Sequence, residues 1–327
     1  MPTREKDSDA NDSSKDAADD SSPPGLSLRQ VLRGHTAAIH RIAWSPGGDR
    51  LVSPSLDQTT RFWSLEGELV GMLKDSAGRS IAAAWAPDGE RIALAADNDI
   101  LRLWQVAAGE SLRTRSGGLG QVTAVAWAPD DSVVATGSLK HGVRLWDAEF
   151  KNFRSLTKKT FEAVFCLACS KHAATIAAGT QSGAIHIWSF EDDAELKTWT
   201  AHAGGVFSVA CSAAKNQLAS SGADGVVRLW DPLTGKLECE LKGHTAAANS
   251  VSYSHDGRLL ASKSADKTVR IWSLELEECL LVLDESVGPT WLPGVAFHPT
   301  RDILATLGEE DRIVRVWDLD LAELLGD

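Results

Sequence analysis

Seven tryptophans recur along the chain at a nearly constant interval, and that interval constrains the fold more than any other feature. They are Trp63, Trp104, Trp146, Trp188, Trp230, Trp272 and Trp317, with gaps of 41, 42, 42, 42, 42 and 45 residues. A second column runs in parallel: Trp44, Trp85, Trp127, Cys169, Cys211, Tyr253 and Phe297, with gaps of 41, 42, 42, 42, 42 and 44. Two columns sharing one period mark a repeated supersecondary unit whose copies must stack to bury their apolar faces.

Each unit has the same internal grammar. A short alternating strand (Ile39–Trp44, Val122–Trp127) meets a turn such as Ser-Pro-Gly-Gly or Ala-Pro-Asp-Gly. A strand of small residues follows, as in Leu218–Gly222, then a tight Asp-Gly or Asp-Lys turn. Val-Arg-Leu-Trp or Val-Arg-Ile-Trp comes next, and a weaker strand such as Leu237–Leu241 ends the unit. Short strands with turn signals at close intervals predict antiparallel all-β structure, and four strands per unit predict a propeller blade.

The units resemble the WD40 repeat. Gly34-His35, Ala201-His202 and Gly243-His244 open units, while Trp146-Asp147, Trp230-Asp231 and Trp317-Asp318 close them. The resemblance covers residues 26–327 and implies an all-β, seven-bladed propeller. It also implies that an N-terminal strand, Leu28–Leu32, completes the last blade, which leaves only short sheet edges. The regular units look like those of bacterial arrays. The last unit is similar to the closing unit of WD40 domains in large bacterial signalling or defence proteins, where the propeller senses for an attached effector.

Three units carry His, Ser, Asp and Trp at fixed offsets: His35, Ser53, Asp57 and Trp63; His202, Ser220, Asp224 and Trp230; His244, Ser262, Asp266 and Trp272. One such set would suggest a hydrolase triad. Three identical copies, each tied to a blade-closing Trp, argue for structure instead, because a triad works once, beside an oxyanion hole. The resemblance implies a buried hydrogen-bond network. The other four units depart from the pattern: Ser76, Leu94 and Asn98; Gly118, Thr136 and Lys140; Thr160, Ala178 and Ser182; and Gly288 with an extra residue before Asp311. Those blades are expected to rely on packing and backbone pairing alone.

Residues 1–25 differ in kind. They carry a net charge of −4 and no aromatic residue, so they are expected to form a disordered acidic tail ahead of the propeller. The whole chain carries −12, which argues against nucleic acid or an anionic membrane as partner and favours a ligand of some basic character. No apolar run reaches the length of a membrane span, and the charged N-terminus does not read as a signal peptide. The five cysteines are Cys166, Cys169, Cys211, Cys239 and Cys279. They form no dense framework, which points to a reducing, cytoplasmic setting. Cys166 and Cys169 fall three apart in a strand, hence on opposite faces. That argues against a redox pair, a zinc site would need a second ligand pair that the sequence does not show nearby, and no catalytic, cofactor-binding or metal-binding residue is expected.

The resemblance places partners on the face near the central channel. Residues near the start of each inner strand and residues just before the tight turn would present side chains there. The members singled out are Phe165, Phe207, Trp291, Arg79, His40, Leu56 and Leu139, with the aromatic three as candidate anchors. The expected function is a non-enzymatic scaffold or sensor for a protein or peptide, as a domain or subunit of a larger signalling protein. The alternatives are an enzyme with a site in the channel and a passive structural subunit.

Overall fold

The computed structural model describes residues 23–74, 78–157, 162–285, 294–308 and 312–326. Twenty-eight strands among them form seven four-stranded antiparallel sheets. Six sheets take their strands in chain order. The seventh takes its outermost strand from the other end of the chain: Leu26–Leu32 pairs with Ile313–Leu319, with Leu26 opposite Leu319 and Leu32 opposite Val314. This strand begins two residues earlier than the sequence suggests. Except for residues 23–25, the acidic segment lies outside the described residues.

Burial across a blade explains its composition. The second strand of a blade is covered on both sides by neighbouring blades. Val133–Ser138, Thr175–Thr180 and Leu259–Ser264 are buried at every position, and Ala, Gly and Ser keep these strands thin. The outer strand faces solvent, as in Glu195–Thr200. Seven apolar clusters lie at the seams between consecutive blades, counted over the described residues.

The seam between blades seven and one closes the ring. There Trp44 Nε1 donates to Ala296 O at 3.1 Å, and the Trp44 ring lies 5.0 Å from that of His298. His298 Nε2 lies 2.9 Å from Gly48 O. Gly48 has φ +76°, and a Cβ there would fall 2.2 Å from the His298 ring, so both backbone and space require glycine.

Blade one departs from its expected strand Ile39–Trp44. Only Ala43–Trp44 is regular, with an isolated bridge from Ile39 to Ser55. The cause is Pro54 on the facing strand: its carbonyl accepts from His40 N, but proline has no N–H to complete the ladder. A short helix, Leu321–Leu325, follows the last strand and is capped by Asp320, which accepts from Glu323 N.

Candidate functional site: the channel mouth and its supporting networks

The inner strands surround the channel, and five of them carry a bulge at one equivalent place. Register shifts flank Ile81, Thr123, Phe165, Phe207 and Asn249. A bulged residue is released from the ladder, and in blades three, four and five its side chain reaches the neighbouring blade. Thr123 Oγ1 donates to Val164 O at 2.6 Å. The Phe165 and Phe207 rings meet at 6.1 Å between centroids, both half-buried. Gly205 makes room for them, since a Cβ there would stand 3.0 Å from each ring.

One repeated backbone bond joins the inner-strand positions to the turn positions. Leu56, Asp97, Leu139, Gln181, Ala223 and Ala265 donate their N–H to the carbonyls of Ala38, Arg79, Gln121, Ala163, Gly205 and Ala247. The two classes of position therefore form one continuous surface. Leu139, Gln181, Ala223 and Ala265 are exposed, while Leu56 is half-buried. Arg79 is exposed and pairs with Asp97 at 2.5 Å. His40 is half-buried, and neither ring nitrogen has a hydrogen-bond partner among the described residues. Burial, helped by the charge of Arg79, lowers its pKa to about 4, so the ring is neutral at pH 7. Trp291, the third candidate anchor, lies outside the described residues.

The His/Ser/Asp/Trp sets form closed chains of hydrogen bonds. In blade one His35 Nδ1 lies 2.7 Å from Asp57, His35 Nε2 lies 2.8 Å from Ser53 Oγ, and Trp63 Nε1 donates to Ser53 Oγ at 2.8 Å. Blade five repeats this through His202, Asp224, Ser220 and Trp230 at 2.8 Å each. In blade six His244 lies 2.9 Å from Asp266 and 2.7 Å from Ser262, which accepts from Trp272 at 2.8 Å. Burial works against ionising Asp57, but donations from Thr59, His35 and Thr36 N outweigh it and hold the carboxyl at about 2. Asp266 is likewise held at about 2. Burial lowers the pKa of His35 and His244.

Packing and backbone pairing alone do not account for the other blades. In blade seven Trp317 Nε1 donates to Thr306 Oγ1 at 2.9 Å, and Thr306 donates to Glu285 at 2.6 Å. Arg315 closes the set on the other oxygen of Glu285 at 2.5 Å. Glu285 thus takes the histidine's part from three residues before Gly288, the position the spacing indicates. In blade three Trp146 Nε1 donates to Thr136 Oγ1 at 2.9 Å. Blade four places Glu162 on Ser182 N at 3.0 Å and 3.6 Å from His186. In blade two Leu94 replaces the hydroxyl, and Trp104 Nε1 has no partner among the described residues. A hydroxyl ten or eleven residues before a blade-closing Trp was the sequence signal for Thr136 and Thr306.

The cysteine pair separates as its spacing requires. Cys166 is buried at the seam of blades four and five, and Cys169 packs at the seam of blades three and four. Burial raises both thiols, Cys166 to about 12, so neither is a ready thiolate.

Comparison with known proteins agrees with this architecture. The family model described as "WD domain, G-beta repeat" matches residues 26–64, 109–147, 194–231, 235–273 and 278–318, together more than half of the chain. These five segments end at the five blades whose Trp donates to a Ser or Thr hydroxyl. The first three strands of blades two and four, with Leu94 and Ala178 at the hydroxyl's place, lie outside the matched segments. The chain is 30% identical over 84 residues to THO complex subunit 3 of Arabidopsis thaliana, covering 24% of this chain and 27% of that protein. It is 32% identical over 74 residues to WD repeat-containing protein AAC3 of Dictyostelium discoideum, covering 22% and 15%. It is 29% identical over 102 residues to the WD repeat-containing protein 26 homolog of Arabidopsis thaliana, covering 28% and 17%. The matched stretches thus span less than a third of each relative. The chain belongs to the WD40 repeat family, as a seven-bladed propeller closed by its own N-terminal strand.

Proposed function

We propose that this propeller is a non-enzymatic scaffold that binds a protein or peptide at the channel mouth. The observation that carries the reading is the Phe165–Phe207 pair, half-buried over Gly205 and ringed by exposed turn residues. Paired, half-buried aromatics at the channel mouth have the make-up of an interface hot spot. The name of one relative, a subunit of a complex, supports an interaction role. Against catalysis stands the state of the Ser/His/Asp sets. Ser53, Ser220 and Ser262 are fully buried, and each hydroxyl is engaged by a Trp N–H and a His. The five free cysteines support a cytoplasmic location.

The test is a titration of a captured partner against the wild-type protein and Phe165→Ala. Loss of an aromatic anchor should weaken binding by about 1.5 to 3 orders of magnitude, in a variant that still folds cooperatively. Full affinity in the variant would move the binding surface elsewhere.

A further inference from the structure

A cleft of about 330 Å³ opens between the outer half of blade two and that of blade three, away from the channel. Its walls include Arg115, Gly117, Gly118, Arg144, Lys151 and Phe153. We propose that this cleft binds a phosphate monoester carried on a partner's side chain, as in phosphoserine, through Arg115 and Arg144.

The argument rests on how the two arginines are held. Several arginines elsewhere are neutralised by carboxylates: Arg79 by Asp97, Arg91 by Asp88, Arg154 by Asp193, Arg228 by Asp224 and Arg315 by Glu285. In the cleft they are held by neutral backbone carbonyls. Arg115 donates to Phe150 O at 2.7 Å and to Lys151 O at 2.5 Å. Arg144 donates to Gly118 O at 2.8 Å. Such bonds fix a guanidinium without cancelling its charge. Lys151 pairs with Glu149 at the rim. Asp99 attracts Arg144 and offsets part of its charge, but its oxygens accept from Leu119 N and Gln121 N and it is not among the residues lining the cleft. No carboxylate is among the described residues lining the cleft, in a protein whose net charge is −12.

The rest of the cleft suits a phosphorylated side chain. The Arg144 guanidinium lies 4.7 Å from the centre of the Phe153 ring, which packs 4.8 Å from Trp146. This stacking pre-orders the guanidinium. Burial works against its charge, a cost that a bound anion would offset. Beyond Gly117 and Gly118 the space is open, with nothing within 4 Å of where a Cβ would stand, so a ligand can approach the backbone. Two fixed guanidiniums suit a phosphate dianion better than a single carboxylate. The volume is at the small end for ligand sites, enough for one modified residue.

The test is an amide NMR titration of the ¹⁵N-labelled protein at low ionic strength. The probes are N-acetyl-O-phosphoserine methylamide, its unphosphorylated counterpart and inorganic phosphate. The phosphorylated compound should shift the Gly117 and Gly118 amides saturably, and the unphosphorylated one should not. Arg115→Gln with Arg144→Gln should weaken binding at least about tenfold in the folded variant. If that double variant fails to fold, the wild-type shifts still decide. Three results would overturn the proposal: no saturable shift at the two glycines, equal affinity in the folded double variant, or binding of inorganic phosphate without binding of the capped phosphoserine.

Discussion

Each network histidine uses both ring nitrogens. In blades one and six the indole N–H donates to the serine, and a neutral ring can accept the serine O–H at Nε2 and donate Nδ1–H to the aspartate. Asp224→Ala removes one partner of His202 Nδ1 and one of the two carboxylates paired with Arg228. It should cost about 1–3 kcal/mol, read from urea unfolding. Lys140→Ala, at the equivalent exposed position of blade three, should cost less than about 0.5 kcal/mol. A pH dependence follows from the same chemistry. His35 and His244 have lowered pKa values in the fold. The unfolded chain therefore takes up protons below about pH 6.5 that the folded one refuses, and stability falls as pH drops. Asp57 and Asp266 are held at about 2. Their contribution is complete above the ordinary carboxylate range near pH 4 and is lost as pH falls toward 2. The melting temperature should therefore decline from about pH 6.5 and fall more steeply below about pH 4. A profile flat from pH 8 to pH 3 would contradict this assignment.

At the scale of the element, the blade tolerates different ways of anchoring its third strand. Glu285, Thr306 and Arg315 do for blade seven what His, Ser and Asp do for blades one, five and six. Thr306→Val would strip the acceptor from Trp317 Nε1 and the donor from Glu285, at a cost of about 1–3 kcal/mol. A loss near zero would mean that blade seven holds by packing alone. The N-terminal strand is a larger lever. Deleting residues 1–33 removes the partner of Ile313–Leu319, exposes that edge and should cost several kcal/mol, with aggregation. Deleting residues 1–22 should leave the melting temperature unchanged, and equal melting of the two truncations would exclude the strand as a clasp. The blades were legible in the sequence because two aromatic or thiol columns share a period that only stacked units explain. The network of blade seven was not, because its acid comes from outside the spaced positions and a threonine replaces the serine. The broken inner strand of blade one was also hidden: Ile39–Trp44 has strand character, and only the facing Pro54 interrupts it.

Across the whole molecule, the repeat builds a ring with an apolar cluster at each seam among the described residues and a bulge in the inner strands of blades two to six, and sequence differences at the bulge set the chemistry of the mouth. The bulge positions hold Ile81, Thr123, Phe165, Phe207 and Asn249, so aromatic character gathers on blades four and five. The resemblance, counted onto this sequence from the second column, pointed to these positions, but it could not tell that the two rings pack against each other, because that depends on Gly205 lying beneath both. The central claim is that a partner docks at this mouth. The most direct measurement is site-specific photo-crosslinking in cells, with a photoreactive phenylalanine derivative placed at Gln181 on the mouth or at Leu196 on the exposed outer strand of blade four. The account predicts partner adducts from Gln181 that disappear when Phe165→Ala and Phe207→Ala are added, and none from Leu196. Adducts from Leu196 with none from Gln181 would contradict it.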